Sequence, residues 1–389
     1  MKKITILSLH LGYGGIERSV ASLANMLKDN FEVEIVSVYH LYDKPSFYID
    51  ENVKIKYLLD DLKQNKKEVK TALKKFHLRK LVKESFKSIK VLYYRKSETI
   101  KYIESCDSDI IISTRDIFNE WLGDYGKQSV LKIGWEHNHH HGNMDYARKI
   151  IKSCKKLDYL VLVSNALQEF YSEKMRNQKC KCVFIPNVIE DIPKYNSSLK
   201  EKRLISVGRL SKEKGYIDLL NVFESIHKDY PDWHLDIIGA GEEEETLKEY
   251  ISNHDLEKGI TLHGFKDKDY IFNLLKKSSI YLMTSHTESF GIVLLEAMSV
   301  GLPCIAFSSA EGANEIITSG YNGYLIKNRN IEAYIRKTED LMNDIETRKK
   351  LGKNAKKSVE KYQSTLVKKD WLDLIEKRWC YEKKSTICI

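Results

Sequence analysis

Short runs of β-branched and other apolar residues alternate with helical segments along almost the whole chain. In the first half these runs are residues 4–9, 33–38, 110–113, 130–134, 159–163 and 183–186. In the second half they are residues 204–207, 234–238, 260–263, 280–284, 303–307 and 324–326. Strands that alternate with helices predict parallel sheets joined by crossover helices. We therefore expect an α/β chain with two doubly wound parallel-sheet domains.

The length of 389 residues also favours two domains, because one hydrophobic core rarely supports so long a chain. Residues 190–201 contain Pro193 and several polar residues but little apolar surface, which is typical of a linker. We place the first domain at residues 1–189 and the second at residues 202–362. The closing region, from 331 to about 378, has apolar residues at helical spacing and is expected to be helical.

The composition is that of a globular protein, with 42% hydrophobic and 31% charged residues. No apolar run approaches the ~20 residues that span a bilayer. The first residues resemble a signal peptide, but the apolar stretch ends at Leu11 without a small-residue cleavage site, so we expect a buried first strand. The seven cysteines lack zinc-ligand spacing, which favours reduced thiols and a cytoplasmic protein.

One segment carries the whole basic excess of the chain. Residues 62–101 contain 14 lysines and arginines and three glutamates, whereas the net charge of the entire protein is +9. A solvated helical face, a nucleic-acid surface and a docking surface for anionic lipid are the three interpretations. No nucleic-acid-binding motif accompanies the segment, so we expect no nucleic-acid partner. We favour an anionic membrane surface, since each lysine near such a bilayer contributes ~1 kcal/mol.

A glycine-rich loop with two cations follows the first strand of the second half. Gly208 and Arg209 open the loop, and Lys214 and Gly215 close it directly before a helix. Glycines allow a ligand to approach the backbone, and cations at a helix N-terminus suit an anion such as a diphosphate. A solvated basic loop is the alternative interpretation.

Two glutamates flank the start of another helix in the second half. Glu288 lies in the loop after the run at 280–284, and Glu296 lies eight residues later in an apolar stretch. At ~1.5 Å per residue the two carboxylates need not act as a catalytic pair, and they suit two parts of one extended ligand. The alternatives are a helix-capping Glu288 and a surface-exposed Glu296. A carboxylate in so apolar a helix, however, needs a hydrogen-bonding partner.

Several motifs occur together in one order along the chain. They are Gly14-Gly15-Ile16-Glu17, Glu136-His137, Pro186-Asn187, Val207-Gly208-Arg209 with Lys214-Gly215, Gly239-x-Gly241 and Glu288-x7-Glu296. With this set the chain resembles the retaining GT-B glycosyltransferases of family GT4 over nearly its whole length. The resemblance implies two Rossmann-like domains that face a cleft, the first for the acceptor and the second for a nucleotide-sugar. It also implies that a closing helix, residues 363–379, returns to the N-terminal domain.

In the second domain the resemblance implies the donor site. Arg209 and Lys214 would neutralise the donor diphosphate, and Glu296 would hydrogen-bond the ribose. The residues that would hold the donor sugar are Glu288, Ser289, Phe290 and Gly291, and Glu288 would also be catalytic. The expected reaction moves a sugar from a nucleotide-sugar, by default a UDP-sugar, to an acceptor with retention of configuration.

In the first domain the resemblance implies that Gly14 and Gly15 bring the backbone against the diphosphate. His137 would act near the reacting carbon. The expected acceptor is a glycan or lipid-linked glycan of bacterial surface polysaccharide, met at the inner face of the plasma membrane. No protein nucleophile is evident, so front-face attack by the acceptor hydroxyl, with electrostatic stabilisation of the leaving group, is the working mechanism.

We expect no metal and no other cofactor. Adjacent histidines between His137 and His141 point in divergent directions, and no carboxylate motif accompanies them, so we interpret the run as a loop that lines the acceptor site. Asp107 and Asp109 match an Asp-x-Asp metal signature. They precede their strand, however, whereas a strand-end ligand site would follow it.

Two other functions fit the same fold. One is a nucleotide-sugar epimerase, and the other is a non-catalytic partner subunit. The intact cations and acids of the second domain, Arg209, Lys214, Glu288 and Glu296, argue against the second alternative. Release of free nucleotide only when acceptor is present would separate a transferase from an epimerase.

Overall fold

A computed structural model describes residues 1–60, 78–190 and 192–386. The chain divides into two compact units, Met1–Ile185 and Pro186–Ile389. The sequence placed the end of the first domain at residue 189 and the start of the second at residue 202. The observed division therefore falls just before the predicted linker.

The first unit contains a seven-stranded parallel sheet. Its strands are β1 (Lys3–Ser8), β2 (Glu32–Tyr39), β3 (Lys54–Leu59), β4 (Ile110–Ser113), β5 (Leu131–Glu136), β6 (Tyr159–Leu162) and β7 (Lys181–Phe184). The helices described in it are α1 (Gly15–Leu27), α2 (Leu78–Ser105), α3 (Asp116–Tyr125), α4 (Met144–Ser153) and α5 (Asn165–Lys174). The strand order β3-β2-β1-β4-β5-β6-β7 is that of a doubly wound sheet.

The strands of this sheet differ in how clearly the sequence marks them. Ile4, Ile6 and Ile111 in the central strands are fully buried, and such strands are continuous apolar runs because both faces are covered. The edge strand β3 was not predicted. Lys54 and Lys56 interrupt its apolar pattern, and an edge strand needs less burial than a central one.

The second unit contains a six-stranded parallel sheet. Its strands are β8 (Arg203–Val207), β9 (His234–Ile238), β10 (Ile260–Leu262), β11 (Ile280–Met283), β12 (Cys304–Phe307) and β13 (Gly323–Ile326). The helices are α6 (Tyr216–Asp229), α7 (Glu244–Asn253), α8 (Lys268–Lys276), α9 (Ile292–Ser299), α10 (Glu311–Ile316), α11 (Ile331–Asn343), α12 (Ile345–Ser358) and α13 (Ser364–Thr386). The order β10-β9-β8-β11-β12-β13 repeats the first sheet, so the predicted α/β fold with two doubly wound sheets is confirmed.

Ser197 and Leu199, in the stretch predicted as a linker, bond to other parts of the second unit. Ser197 N donates to Val300 O at 2.8 Å. The buried guanidinium group of Arg348 donates through Nη2 to Leu199 O at 3.0 Å. These contacts explain why the second unit begins before residue 202.

The chain closes with α13, in which Trp371 is buried. The expectation that residues 363–379 return to the first domain concerns the relation between the two units and stays a prediction. The side chain of Trp379 lies outside the described residues. Among the helices that the structure describes, none combines the length and the apolar character needed to cross a membrane.

Candidate functional site

Each sheet has a switch point, where the chain changes its direction of winding. β1 lies beside β4 in the first sheet, and β8 lies beside β11 in the second. Ligands of doubly wound sheets bind beyond the carboxyl ends of the strands at such points. The two predicted donor loops, residues 208–215 and 284–291, follow β8 and β11 and therefore meet at the switch point of the second sheet.

The loop after β8 packs directly against the loop after β9. Gly208 N donates to Ile238 O, and Leu210 N donates to Ala240 O, both at 3.0 Å. A Cβ atom on Gly239 would lie 1.8 Å from Gly208 O, so only glycine fits there. The second glycine motif, Gly239-x-Gly241, thus holds the position of residues 208–215, which we call the diphosphate loop after its predicted role.

The two predicted cations differ in exposure. The Arg209 side chain is 70% exposed, and its Nη2 donates to Glu213 Oε1 at 2.7 Å. The Lys214 side chain is only 22% exposed. Gly215 follows with a φ of 64°, and a Cβ atom there would lie 2.3 Å from Thr284 O, so the turn requires glycine. This turn fixes the backbone of Lys214 against the end of β11.

Lys214 and Glu288 form an ion pair, in which Lys214 Nζ donates to Glu288 Oε2. Glu288 is not the N-cap residue of α9, because Gly291 occupies that position. An ammonium group has three donors, so the pair leaves Lys214 with capacity for an anionic oxygen. The structure therefore brings a predicted phosphate ligand and a predicted sugar ligand together.

Backbone hydrogen bonds fix the loop that carries Glu288. His286 N donates to Glu213 O at 2.8 Å, which joins this loop to the diphosphate loop. Glu288 O accepts from Gly312 N at 2.7 Å. The two site loops are thus attached to each other and to the start of α10.

Ser289, Phe290 and Gly291 complete the predicted sugar-binding stretch. The Phe290 ring is buried and lies edge-on to Tyr362, with 5.6 Å between the ring centroids. Ser289 is half-buried in the loop, and Gly291 leads into α9. The buried phenyl ring therefore anchors a stretch whose backbone stays near the helix N-terminus.

Glu296 lies in the second turn of α9 and is 4% exposed, so it is not a surface residue. Burial raises the pKa of Tyr281 well above its usual value, and the Tyr216 hydroxyl and the charge of Glu296 add to the shift. Burial also raises the pKa of Tyr216, with a contribution from Glu288. The Tyr281 hydroxyl donates to Val207 O at 3.1 Å. The charge of each acid thus acts on one tyrosine of this pair.

In the first unit, Gly14 and Gly15 form the start of α1. The buried carboxylate of Glu17, in the first turn of this helix, accepts from Arg115 Nη2 at 3.3 Å. Arg115 directly precedes α3, at the carboxyl end of β4. Arg115 was missed in the sequence because 97 residues separate it from Glu17 in the chain and no motif marks it.

His137 directly follows β5 and is 7% exposed. Its Nε2 has no hydrogen-bond partner within the part of the chain that the structure describes. Burial, with the charge of Arg115 adding, lowers the pKa of the imidazole to about 3. The ring is therefore neutral near pH 7, and Nε2 can donate or accept one hydrogen bond depending on the tautomer.

Glu136, predicted only as part of a motif, is a buried carboxyl group at the end of β5. Its Oε1 accepts from Asn138 N at 2.7 Å and from the Tyr146 hydroxyl at 3.0 Å. Burial raises the pKa of Glu136 to about 7. A carboxyl group that titrates near neutral pH beside His137 is typical of a functional site.

The other histidines of the run make local contacts. His139 Nδ1 accepts from His141 N at 3.0 Å, and His140 Nδ1 accepts from Gly142 N at 3.1 Å. The His140 ring also stacks on Phe170, with 4.1 Å between centroids. These bonds use one nitrogen of each of two rings to shape the loop. The expectation of a site without metal stays a prediction.

The Asp-x-Asp motif binds Lys3. Asp107 Oδ1 lies 2.6 Å from Lys3 Nζ, and Asp109 Oδ2 accepts from Lys3 N at 2.8 Å. These contacts lie at the amino ends of β1 and β4, the edge of the sheet opposite the loops described above. The motif thus stabilises the start of the sheet.

The helix α2 exposes apolar side chains at helical spacing. Val82, Phe86, Ile89 and Tyr93 are 52–70% exposed and recur every three or four residues. Exposed lysines interleave with them at Lys83, Lys87, Lys90 and Lys96. We call residues 82–96 the α2 surface. Residues 62–77 of the predicted basic segment lie outside the described residues.

The chain is similar in sequence to known glycosyltransferases. The family described as Glycosyl transferases group 1 matches residues 187–358. A glycosyltransferase of Haemophilus influenzae, described as uncharacterized, is 29% identical over 96% of this chain and 100% of its own length. An N-acetyl-D-galactosaminyltransferase of Campylobacter jejuni, whose name states an undecaprenol-linked acceptor, is 25% identical over 96% of this chain and 98% of its own length.

Solved structures show the same fold. A variant of TarM from S. aureus, in complex with fondaparinux, alpha-GlcNAc-glycerol and UDP, has a TM-score of 0.77 at 17% identity and covers 96% of this chain and 99% of its own. The group 1 match contains both site loops of the second unit. The chain is therefore a glycosyltransferase of the GT-B fold, and residues 187–358 of its second unit match the group 1 glycosyl transferases.

Proposed function

We propose that this enzyme transfers a sugar from a UDP-sugar to a glycan or lipid-linked glycan with retention of configuration, as in family GT4. The observation that carries the proposal is the ion pair between Lys214 and Glu288 at the switch point of the second sheet. The same edge of the sheet holds Arg209 and the buried Glu296. The group 1 match over these residues and the UDP bound to TarM support a UDP-sugar donor.

The second unit suits the departure of a diphosphate. When the bond between the anomeric carbon and the phosphate oxygen breaks, negative charge grows on the diphosphate. Lys214 and Arg209 would stabilise that charge, and one fixed donor of this kind contributes about 10²–10³-fold in rate. Glu288 would accept hydrogen bonds from hydroxyls of the donor sugar, and Glu296 from the ribose.

Retention is proposed to follow from front-face attack. The acceptor hydroxyl bonds to the anomeric carbon on the face that the diphosphate leaves, and its proton passes to a phosphate oxygen of the donor. The products are the glycoside and the nucleoside diphosphate, and the proposed route uses no protein nucleophile, metal or cofactor. A covalent sugar–enzyme adduct, detected by mass spectrometry, would contradict this route.

The first unit has a supporting role in the proposal. Gly14 and Gly15 would offer backbone amides to the diphosphate at the start of α1. His137 would hydrogen-bond the donor sugar as a neutral ring, because its pKa of about 3 prevents it from acting as a cation at neutral pH. This assignment predicts that titration of His137 does not limit the rate between pH 5 and 8.

The acceptor is proposed to be a lipid-linked glycan of a bacterial surface polysaccharide at the inner face of the plasma membrane. The undecaprenol-linked acceptor in the name of the Campylobacter jejuni relative supports this class. The α2 surface supports contact with an anionic bilayer, since it presents apolar side chains flanked by lysines.

Donor binding tests the carrying observation. The unfolding midpoint is measured with a panel of UDP- and GDP-sugars, because a ligand at 100 times its Kd stabilises by about 2.7 kcal/mol. We expect a UDP-sugar to raise the midpoint of the wild type but not that of Lys214→Ala. Lys212→Ala, which removes an exposed cation from the same turn, is the matched control and should respond like the wild type. Equal responses of the two variants would contradict the assigned phosphate site.

Transfer is tested by nucleotide release with undecaprenyl-linked saccharides. Free UDP should appear only when acceptor is present, whereas an epimerase would convert the donor without releasing UDP. The anomeric configuration of the product, read by NMR, should match that of the donor. An inverted product would defeat the retention proposal and leave the donor assignment intact.

Membrane contact is tested by flotation with anionic liposomes at low salt. Charge reversal at Lys83, Lys87 and Lys90 should abolish flotation. The matched control reverses three exposed lysines on α12, which are Lys349, Lys350 and Lys353. Flotation that is lost equally in both variants would show an effect of net charge alone and contradict a role for the α2 surface.

A further inference from the structure

Arg329 lies in a short 3-10 helix, Lys327–Arg329, that follows β13. Asn328 and Arg329 have φ values of 55° and 48°, a region that residues with a side chain rarely adopt. The guanidinium carbon lies 4.3 Å from the ring centroid of Phe307. Two successive residues in a disfavoured conformation indicate that the contacts of Arg329 hold it in place.

The Arg329 side chain donates hydrogen bonds to three separate segments. Nη1 donates to Ser285 O and to Ser309 Oγ, both at 2.9 Å. Nη2 donates to Thr284 O at 2.9 Å and to the Asp218 carboxylate. A planar guanidinium group can satisfy such divergent acceptors at once, whereas an ammonium group offers its donors from a single point.

Two of these segments lead directly into the donor site. Thr284 and Ser285 follow β11 and begin the loop that carries Glu288. Asp218 lies in the first turn of α6, which begins two residues after Lys214. Arg329 therefore joins the backbone before the sugar-binding acid to the helix after the phosphate-binding lysine.

Further hydrogen bonds support the same junction. Thr284 Oγ1 donates to Gly215 O at 2.8 Å. Ser309 precedes α10, and Gly312 N in α10 donates to Glu288 O at 2.7 Å. All three segments that Arg329 contacts thus position either the diphosphate loop or the loop of Glu288.

We infer that Arg329 is a positioning residue that sets the distance between Lys214 and Glu288, so that the diphosphate and the sugar of one donor molecule are held together. This inference rests on the proposed function of that site. Asp218 neutralises the guanidinium charge, so Arg329 acts through geometry and is not a third phosphate ligand.

Arg348 in the same unit offers a matched control. It is buried and donates through Nη1 to Met342 O at 2.8 Å and through Nη2 to Leu199 O at 3.0 Å. The two arginines thus share the same chemistry, a guanidinium group that donates to backbone carbonyls. Met342 and Leu199 both lie outside loops 208–215 and 284–291.

The experiment compares Arg329→Lys and Arg348→Lys with the wild type in the full chain. We expect Arg329→Lys to raise the donor KM about tenfold and to leave the acceptor KM unchanged, because it misplaces donor ligands alone. Amide hydrogen exchange should also become faster in residues 213–218 and 284–291. Arg348→Lys should lower the unfolding midpoint without either change.

Two results would overturn the inference. The first is that Arg329→Lys has the same donor KM and the same exchange rates as Arg348→Lys. The second is that Arg329→Lys exchanges faster than the wild type but has the same donor KM. If the wild type releases no UDP, the proposed function is wrong. Hydrogen exchange needs no substrate, so it still tests whether Arg329 positions the two loops. If Arg329→Lys does not fold, Ser309→Ala is tested in its place, because it removes only one acceptor of the Arg329 side chain. It should shift the donor KM in the same direction, and an unchanged KM would count against the inference.

Discussion

The carboxyl edges of the two sheets carry opposite kinds of polar group. In the second unit, charges are paired and partly exposed, as in Lys214 with Glu288 and Arg209 with Glu213. In the first unit, burial lowers the pKa of His137 to about 3 and raises that of Glu136 to about 7. One strand order thus supports a charged edge in the second unit, which suits phosphate. In the first unit, beside the Glu17–Arg115 ion pair, it supports a nearly neutral stretch at the end of β5 that suits hydroxyl groups, and we call this stretch the neutral edge. The fold alone does not set the chemistry.

The largest effect is expected at the charged edge. Glu288→Ala should lower kcat/KM at least about 10²-fold, because it removes a ligand of the donor sugar and leaves Lys214 without its partner. The unfolding midpoint should stay near that of the wild type, since the loop is fixed by backbone bonds of His286 and Gly312. UDP release at saturating acceptor measures the effect. Turnover of Glu288→Ala at the wild-type rate would contradict a role for Glu288 in donor binding or catalysis.

The next largest effect belongs to the neutral edge and depends on pH. The folded-state pKa of Glu136, about 7, lies above its ordinary value of 4.5, so between these values the folded chain binds more protons than the unfolded chain. The stability that the protonated Glu136 carboxyl group contributes is therefore fully present below about pH 4. It is lost as the pH rises through 7. Relative to Glu136→Gln, the wild type should lose about 3 kcal/mol across this range.

Urea unfolding at several pH values checks this prediction, with Glu136→Gln as the reference at each pH. A constant difference between wild type and Glu136→Gln from pH 4 to 8 would show that Glu136 titrates as an exposed acid.

The charged edge itself contains a difference in exposure that can be tested. Arg209→Ala should raise the donor KM about tenfold, less than Lys214→Ala, because the exposed guanidinium group is screened by solvent and salt. The effect should shrink between 0.05 and 0.5 M salt, whereas that of Lys214→Ala should persist. A larger loss in Arg209→Ala than in Lys214→Ala would reverse the proposed order of the two cations.

The fold was predictable where local pattern and burial agree. Residues 110–113 were predicted as a strand and form β4, since a strand covered on both faces is a continuous apolar run. The edge strand Lys54–Leu59 was missed because its lysines face solvent. Neighbouring positions for Lys214 and Glu288 followed from the rule for strand ends, although their ion pair did not.

Two features of the site depend on tertiary structure, and no local sequence pattern predicts them. Arg329 bonds Asp218 across 111 residues of sequence, and its turn has positive φ values without glycine. The pKa of Glu136 depends on burial and on the Tyr146 hydroxyl, which lies on a different element. The sequence motifs pointed to the residues that we propose to bind the donor, but not to the residues that hold them in position.

The smallest effect separates two contributions to the pKa of Glu136, which are burial and the hydrogen bond from Tyr146. The Tyr146 hydroxyl donates to the Glu136 carboxylate, so Tyr146→Phe should raise the pKa of Glu136 further. The variant should lose about 1–2 kcal/mol at pH 8, where the carboxylate is ionised, and less at pH 5. Tyr125→Phe, at an exposed tyrosine of α3, should change neither value. Equal losses of Tyr146→Phe at both pH values would mean that the hydroxyl serves packing, and burial alone would then keep this edge of the first sheet near neutral.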